Sequence, residues 1–194
     1  MMILRLVLVF IVAYIASSVN FSIVLFKILG KEDPRKQFSG NAGATNVYRQ
    51  AGFFWAAIVL LLDMGRAMLI ALVSLHFLDY QYATFPGFAL ILGNRFPCFH
   101  QFRGGKGVAN YLGFTLILAP IATLMASLAW GLVFLFFRIP FISSFAMVLI
   151  LGMGTVMRFG DHLPAMAATL ATVALILINH KPNVIEFIKK IREK

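Results

Sequence analysis

Phe102-Arg103-Gly104-Gly105-Lys106-Gly107 sets two cations among three glycines between two apolar segments. Crossing a membrane requires no such composition, and the expected chemistry is anion binding. Glycine lets the backbone approach a ligand closely and adopt positive φ, so successive N–H groups can point at phosphate oxygens while Arg103 and Lys106 supply charge. The run is not a Walker loop, because His100 stands where that loop's leading glycine would fall and Gly107 where Ser or Thr would follow the lysine.

Three further polar groups share the expected face. Ser39-Gly40-Asn41-Ala42-Gly43-Ala44-Thr45-Asn46-Val47-Tyr48-Arg49 is dense in small and hydrogen-bonding residues. Hydroxyls of Ser39 and Thr45, amides of Asn41 and Asn46, and N–H groups freed at Gly40 and Gly43 can surround a phosphate that Arg49 grips bidentately. Ser143-Ser144 follows Arg138 and offers hydroxyls, a weak signal that is more often plain interfacial polarity. In His180-Lys181-Pro182-Asn183 the histidine can take a proton near neutral pH and the asparagine can orient a hydroxyl.

The missing chemistry narrows the reaction. The segments between apolar runs hold no paired carboxylates, no metal-ligand spacing and no Ser-His-Asp pattern. His76 and Asp79 are three apart and on the opposite side, so no His-x-x-x-x-Asp of the kind found in thioester-dependent glycerolipid acyltransferases is present. Such a site can bind phosphates but has little means of activating a poor electrophile. It calls for a substrate that arrives activated, and for neither metal nor cofactor.

The elements that must position these residues are membrane helices. The chain is 61% hydrophobic and 12% charged, with a mean hydropathy of +0.89. Its apolar runs are continuous rather than alternating, which favours an all-α polytopic bundle over a barrel. The lone cysteine, Cys98, allows no intrachain disulfide or thiol cluster and reads as inert. A net charge of +10 does not indicate nucleic acid, since the cations lie in the turns between spans. The uncharged stretch 6–26 is too long for a signal-peptide core and lacks a clean cleavage pattern, so it reads as a first span.

Seven spans are expected in one domain without internal repeats. A basic loop over 27–49 leads to a second span over 50–75, inside which Asp63 and Arg66 share one helix face. A third span, 80–94, is short and expected to bend at Pro86-Gly87. The 31 uncharged residues 107–137 are too many for one span, and a split at Ala119-Pro120 yields two. Spans over 139–157 and 163–179 and a tail from His180 complete the chain. Arg5 and Arg158 then lie opposite the motifs and Arg66 within a span, leaving 14 of the 17 Lys and Arg on the motif side. Positive charge faces the cytoplasm, so the N-terminus is expected outside and the C-terminus inside.

At these motifs the chain resembles the bacterial membrane acyl-phosphate:glycerol-3-phosphate acyltransferases. The run from Ser39 to Arg49 is similar to the family's first motif, Phe96-Pro97-x-Phe99-x-x-Phe102 through Ala109 to its second, and His180-x-x-Asn183-Val184 to its third. Ser144 falls where the family has a serine after its Arg, here Arg138. The chain departs at Asn94, usually His, at Arg66-Ala67 where Lys-Gly is usual, at Glu186, usually basic, and in lacking a tail glycine. The resemblance implies a seven-helix bundle in the bacterial inner membrane with a cytoplasmic site. It also implies a glycerol 3-phosphate acceptor, a long-chain acyl phosphate donor, and lysophosphatidate and phosphate as products. By this resemblance His180, Asn183 and Lys106 are the expected catalytic residues, with Ser39, Gly40, Asn41, Gly43, Thr45, Asn46, Arg49, Arg103, Gly104, Gly105 and Ser144 around the substrate phosphates. No oligomeric state is implied. A phosphate transporter would instead expose its site to both faces through related halves, and a scaffold for anionic lipid would need only generic lysines.

Overall fold

The computed structural model describes residues 1–193, and Lys194 of the expected tail lies outside them. No strand occurs among the described residues, which form helices joined by short turns. The expected first span is two helices, α1 (Met2–Ser18) and α2 (Phe21–Ile28). Asn20 breaks the run by capping α2, its side-chain oxygen accepting from the Ile23 N–H at 3.2 Å. A break at this depth frees carbonyls where no water can satisfy them. Arg66 supplies the donors, bonding the Ala16 and Val19 carbonyls at 3.2 and 2.6 Å.

The stretch read as a basic loop holds a further helix, α3 (Ala44–Ala51), so Thr45 and Arg49 stand one turn apart on its exposed side. Gly52, at φ +87°, turns the chain into α4 (Phe53–Phe77), the expected second span. The bend expected at Pro86-Gly87 is instead a beginning. Pro86 lies in the first turn of α5 (Phe85–Arg95), where the missing N–H has no helical acceptor to lose. The split at Ala119-Pro120 is present: Ala119 leaves helical geometry between α6 (Val108–Leu118) and α7 (Pro120–Phe137). Arg138, in the left-handed region at φ +56°, closes α7 before α8 (Pro140–Phe159). Then follow α9 (Leu163–Asn179) and α10 (Lys181–Arg192), the latter built from the expected tail.

Four segments are long and apolar enough to cross a bilayer: Met2–Ile28, Phe53–Phe77, Pro120–Phe137 and Pro140–Phe159. A fifth arises if α9 and α10, bent by 44°, are one broken span. α5 and α6 have 11 residues each. At 1.5 Å per residue they extend about 16 Å, roughly half of the hydrocarbon thickness. They lie inside the bundle, α5 packed on α1 and α9 and α6 on α4, so lipid does not set their length.

Helices here touch through small residues, as membrane bundles require when burial from water contributes little. A side chain at Gly93 of α5 would meet the Tyr14 backbone of α1, and one at Gly113 of α6 would lie 2.6 Å from the Met64 Cα of α4. These contacts hold one core of Ala13, Ala67, Ile70, Leu90 and Phe114, and a second of Ile91, Tyr111, Val148 and Ile176. Asp63 and Arg66 pair at 2.6 Å, and the guanidinium also reaches Asn110 Oδ1 at 2.8 Å. One cation thus ties α4 to the α1–α2 break and to α6.

Candidate active site

The site begins at the C-terminal end of α5. After Pro97 the chain reverses through Gln101 and Phe102, both in the left-handed region at φ +57° and +55°. It then runs back along the helix it has left, the Gly104 N–H bonding the Arg95 carbonyl at 3.1 Å and the Gly105 N–H the Asn94 carbonyl at 2.9 Å. These two N–H groups are therefore committed within the loop, not turned toward a phosphate as the glycine spacing suggests. Their glycines serve close approach. A Cβ at Gly104 would collide with the Asn94 carbonyl and lie 2.8 Å from Pro97 Cδ, and one at Gly105 would lie 2.8 Å from the Ala42 carbonyl. Only Gly107, at φ +88°, uses the positive φ that glycine permits. Beyond the loop, the N–H groups of Lys106 to Asn110 at the start of α6 enter none of the intramolecular hydrogen bonds of the described residues.

The first motif packs on this loop. Asn20 Nδ2, at the α1–α2 break, donates to the Ala42 carbonyl at 3.2 Å. Asn46 is buried and holds the motif itself, donating to the Pro34 carbonyl at 2.7 Å and the Gln37 carbonyl at 3.3 Å. Gln50, one turn on, joins it on Pro34 at 2.9 Å. Arg35, held by Asp33 at 2.6 Å, crosses to the second loop and bonds the His100 and Arg103 carbonyls at 2.8 and 2.7 Å. The Arg49 side chain, on the exposed side of α3, makes no hydrogen bond or ion pair among the described residues.

The third motif closes the cluster. Lys106 Nζ donates to Asn183 Oδ1, and the Lys106 carbonyl accepts from Asn179 Nδ2 at 3.3 Å. With Oδ1 so engaged, the Asn183 Nδ2 hydrogens remain to donate. Burial, helped by the charges of Arg49 and Arg95, pushes the Lys106 ammonium down to about 8, while Glu186 acts in the other direction. His180 is buried and bonds the Ile176 carbonyl at 2.8 Å through Nδ1. A carbonyl only accepts, so Nδ1 carries the hydrogen and Nε2 presents a lone pair. Burial and the Lys106 charge push His180 down to about 4, leaving the ring neutral at physiological pH.

Lys106 and Asn183 therefore meet from distant stretches, with His180 and Arg49 near enough for their charges and that of Lys106 to act on one another, in a field more positive than negative. Such a field can hold a phosphate dianion, and the neutral groups beside it can orient a hydroxyl. Ser39, Thr45 and Arg103 are exposed and Asn41 half-buried at the rim. Ser144 is on α8, donating to the Pro140 carbonyl at 2.9 Å and accepting from Trp130 Nε1 at 3.4 Å, beside Phe145, whose ring packs edge-on against His180 with centroids 5.3 Å apart. Sequence reasoning missed Asn20, Arg35, Asn179 and the field of Arg95. The signals were slight: a lone amide in an apolar run, a cation two residues after an aspartate, and an amide directly before the histidine.

A family model for glycerol-3-phosphate acyltransferases matches residues 7–190. The chain is 34% identical over 192 residues to a glycerol-3-phosphate acyltransferase of Neisseria meningitidis, covering 94% of this chain and 96% of that one. To one of Pseudomonas paraeruginosa it is 38% identical over 175 residues, with 89% and 90% covered. The crystal structure of PlsY, an integral membrane glycerol 3-phosphate acyltransferase, in its glycerol 3-phosphate form matches with a TM-score of 0.88 at 30% identity, across 95% of this chain and 92% of that one. Its lysophosphatidic acid form gives 0.85 at 29% identity, with the same coverage. Because the matched stretch runs from α1 into α10, and so takes in every loop that converges on Lys106, the chain belongs to the glycerol-3-phosphate acyltransferase family.

Proposed function

We propose that this protein transfers a long-chain acyl group from acyl phosphate to the sn-1 hydroxyl of glycerol 3-phosphate, giving lysophosphatidate and inorganic phosphate. The observation that carries this reading is the junction of Lys106 with Asn183 beside the neutral His180 and the charge of Arg49, with no carboxylate hydrogen-bonded to the histidine among the described residues. Lys106 and Arg49 hold substrate phosphate, with the N–H groups at the start of α6 and the rim groups of Ser39, Asn41 and Thr45 completing the shell. Asn183 donates to the acceptor and aligns its hydroxyl. The hydroxyl oxygen bonds to the acyl carbon, the carbon's bond to the bridging oxygen breaks, and that electron pair leaves with phosphate. The hydroxyl proton passes to a substrate phosphate oxygen or to His180 Nε2. A histidine pushed down to about 4 is a weak base, which favours the phosphate oxygen, with His180 accepting a hydrogen bond during alignment.

A mixed anhydride suits this machinery because phosphate leaves readily and the cations stabilise the charge it gains. The relatives' glycerol 3-phosphate and lysophosphatidic acid forms support the acceptor and product. Seven crossings accompany the reading, with α5 and α6 as short interior passages, the N-terminus outside and the motif face toward the cytoplasm of a bacterial inner membrane. The concentration of cations on that face supports this orientation. The acyl tail then lies in the bilayer or between the Phe-rich helices while its phosphate sits at the surface. Reporter fusions at Asp79 and Lys194 test the topology, which predicts opposite sides. Purified protein given glycerol phosphate and palmitoyl phosphate tests the reaction, and absence of phosphate release would overturn it.

A further inference from the structure

α10 leaves α9 at a 44° bend, and none of its residues is buried. At 100° per residue, Val184, Ile185, Phe187, Ile188 and Ile191 fall on one side, while Asn183, Glu186, Lys189 and Lys190 take the other. Phe187 is covered by Phe141 of α8, with ring centroids 5.6 Å apart. The three isoleucines are not covered: Ile185, Ile188 and Ile191 are 48%, 44% and 57% exposed. Ile178 of α9, seven residues before Ile185, is likewise 65% exposed. Lys181 and Arg192 flank the isoleucines at the two ends, as cations do when their stems run along apolar surface and their heads reach phosphate level. Glu186 is the one acid within α10 and is already paired with Lys190 at 2.6 Å.

We propose that α10 docks on the bilayer surface through anionic lipid headgroups, and that this docking fixes Asn183 against Lys106. The occupant follows from two observations. The uncovered isoleucines lie on a helix that directly follows an apolar one in a multi-pass membrane protein, and the cations beside them match anionic headgroups. The consequence for the site follows from chain position. Asn183 lies in the first turn of α10, so the seating of the helix sets where its side chain points, while His180 is held by α9 through Ile176. Lipid composition then regulates the enzyme. This consequence rests on the proposed acyl transfer, while the docking itself does not.

The test places a fluorophore at Ile188→Cys or Lys190→Cys, each in a Cys98→Ser background, in vesicles of phosphatidylcholine with or without phosphatidylglycerol. Brominated acyl chains should quench the label at 188 and aqueous iodide the label at 190. The Arg192→Glu variant should lose roughly fivefold in transfer rate in phosphatidylglycerol vesicles, and little in phosphatidylcholine alone. Equal iodide access at both positions would overturn docking, and a variant rate independent of lipid composition would overturn the regulation. If the unaltered protein transfers no acyl group in either lipid, the reaction assignment fails, and the quenching pattern still decides whether α10 docks.

Discussion

Lys106 Nζ donates to Oδ1 of Asn183, 77 residues further along the chain, so the basic glycine loop and the start of α10 are one piece of chemistry. The bond uses the amide oxygen, leaves the Asn183 Nδ2 hydrogens to donate, and holds an ammonium that burial alone would disfavour.

Lys106→Ala and Arg49→Ala should each abolish acyl transfer while the protein remains folded in the membrane. Loss of a charge-assisted phosphate contact costs on the order of 1.5 to 3 kcal/mol, and more where the site is desolvated. Steady-state kinetics with size-exclusion profiles as the folding control check this, and near-normal turnover in Lys106→Ala would remove the phosphate-holding role.

The rate should be bell-shaped in pH. Its basic limb falls as Lys106 loses its proton at about 8. Its acid limb falls near the second ionisation of a phosphate ester, roughly 6, if the substrate oxygen takes the hydroxyl proton. His180→Gln should then keep the acid limb in place and a measurable rate, whereas a limb that disappears with the histidine would make His180 the base. Stability runs the other way at high pH. The native state binds fewer protons than the unfolded chain between about 8 and the ordinary 10.5, so this group's contribution to stability rises with pH across that window while activity declines.

Gly105→Ala should cost activity with little loss of folding. The added methyl would lie 2.8 Å from the Ala42 carbonyl and press on Asn94, so the second loop must move away from the first motif. A shift of about 1 Å in a positioned group can cost on the order of a hundredfold in rate. Transfer at the unaltered rate would mean that the loops need not touch.

These residues also mark how far the sequence could be read. Continuous apolar runs disclose membrane helices because lipid imposes length and composition, and Pro120 discloses the end of α6 because a proline does not continue a helix from the preceding turn. The break at Asn20 is hidden because one amide in an apolar run looks like a tolerated polar residue, and its cap and its bond to Ala42 exist only in three dimensions. Glycine spacing announces a tight loop but not the partners of its N–H groups, so Gly104 and Gly105 read as phosphate donors although they bond α5 carbonyls. Thr45 to Arg49 read as loop because their polarity outweighs helical period over so short a stretch, yet they form most of α3.

Arg66→Met should destabilise the protein by about 3 to 5 kcal/mol, because it strands the Asp63 carboxylate in the membrane interior and releases the carbonyls of Ala16 and Val19. Denaturation in detergent measures the loss. The double variant Asp63→Asn/Arg66→Met should recover part of it, since the stranded charge is gone; no recovery would show that the helix break, not the ion pair, sets the cost.

The donor is the claim on which the rest turns. Purified protein in micelles, supplied with glycerol 3-phosphate and palmitoyl phosphate, should release inorganic phosphate and form lysophosphatidate in equal amounts, while palmitoyl coenzyme A in place of the acyl phosphate should give almost none. Equal rates from the two donors would contradict both the acyl-phosphate assignment and the explanation of why no carboxylate stands beside His180.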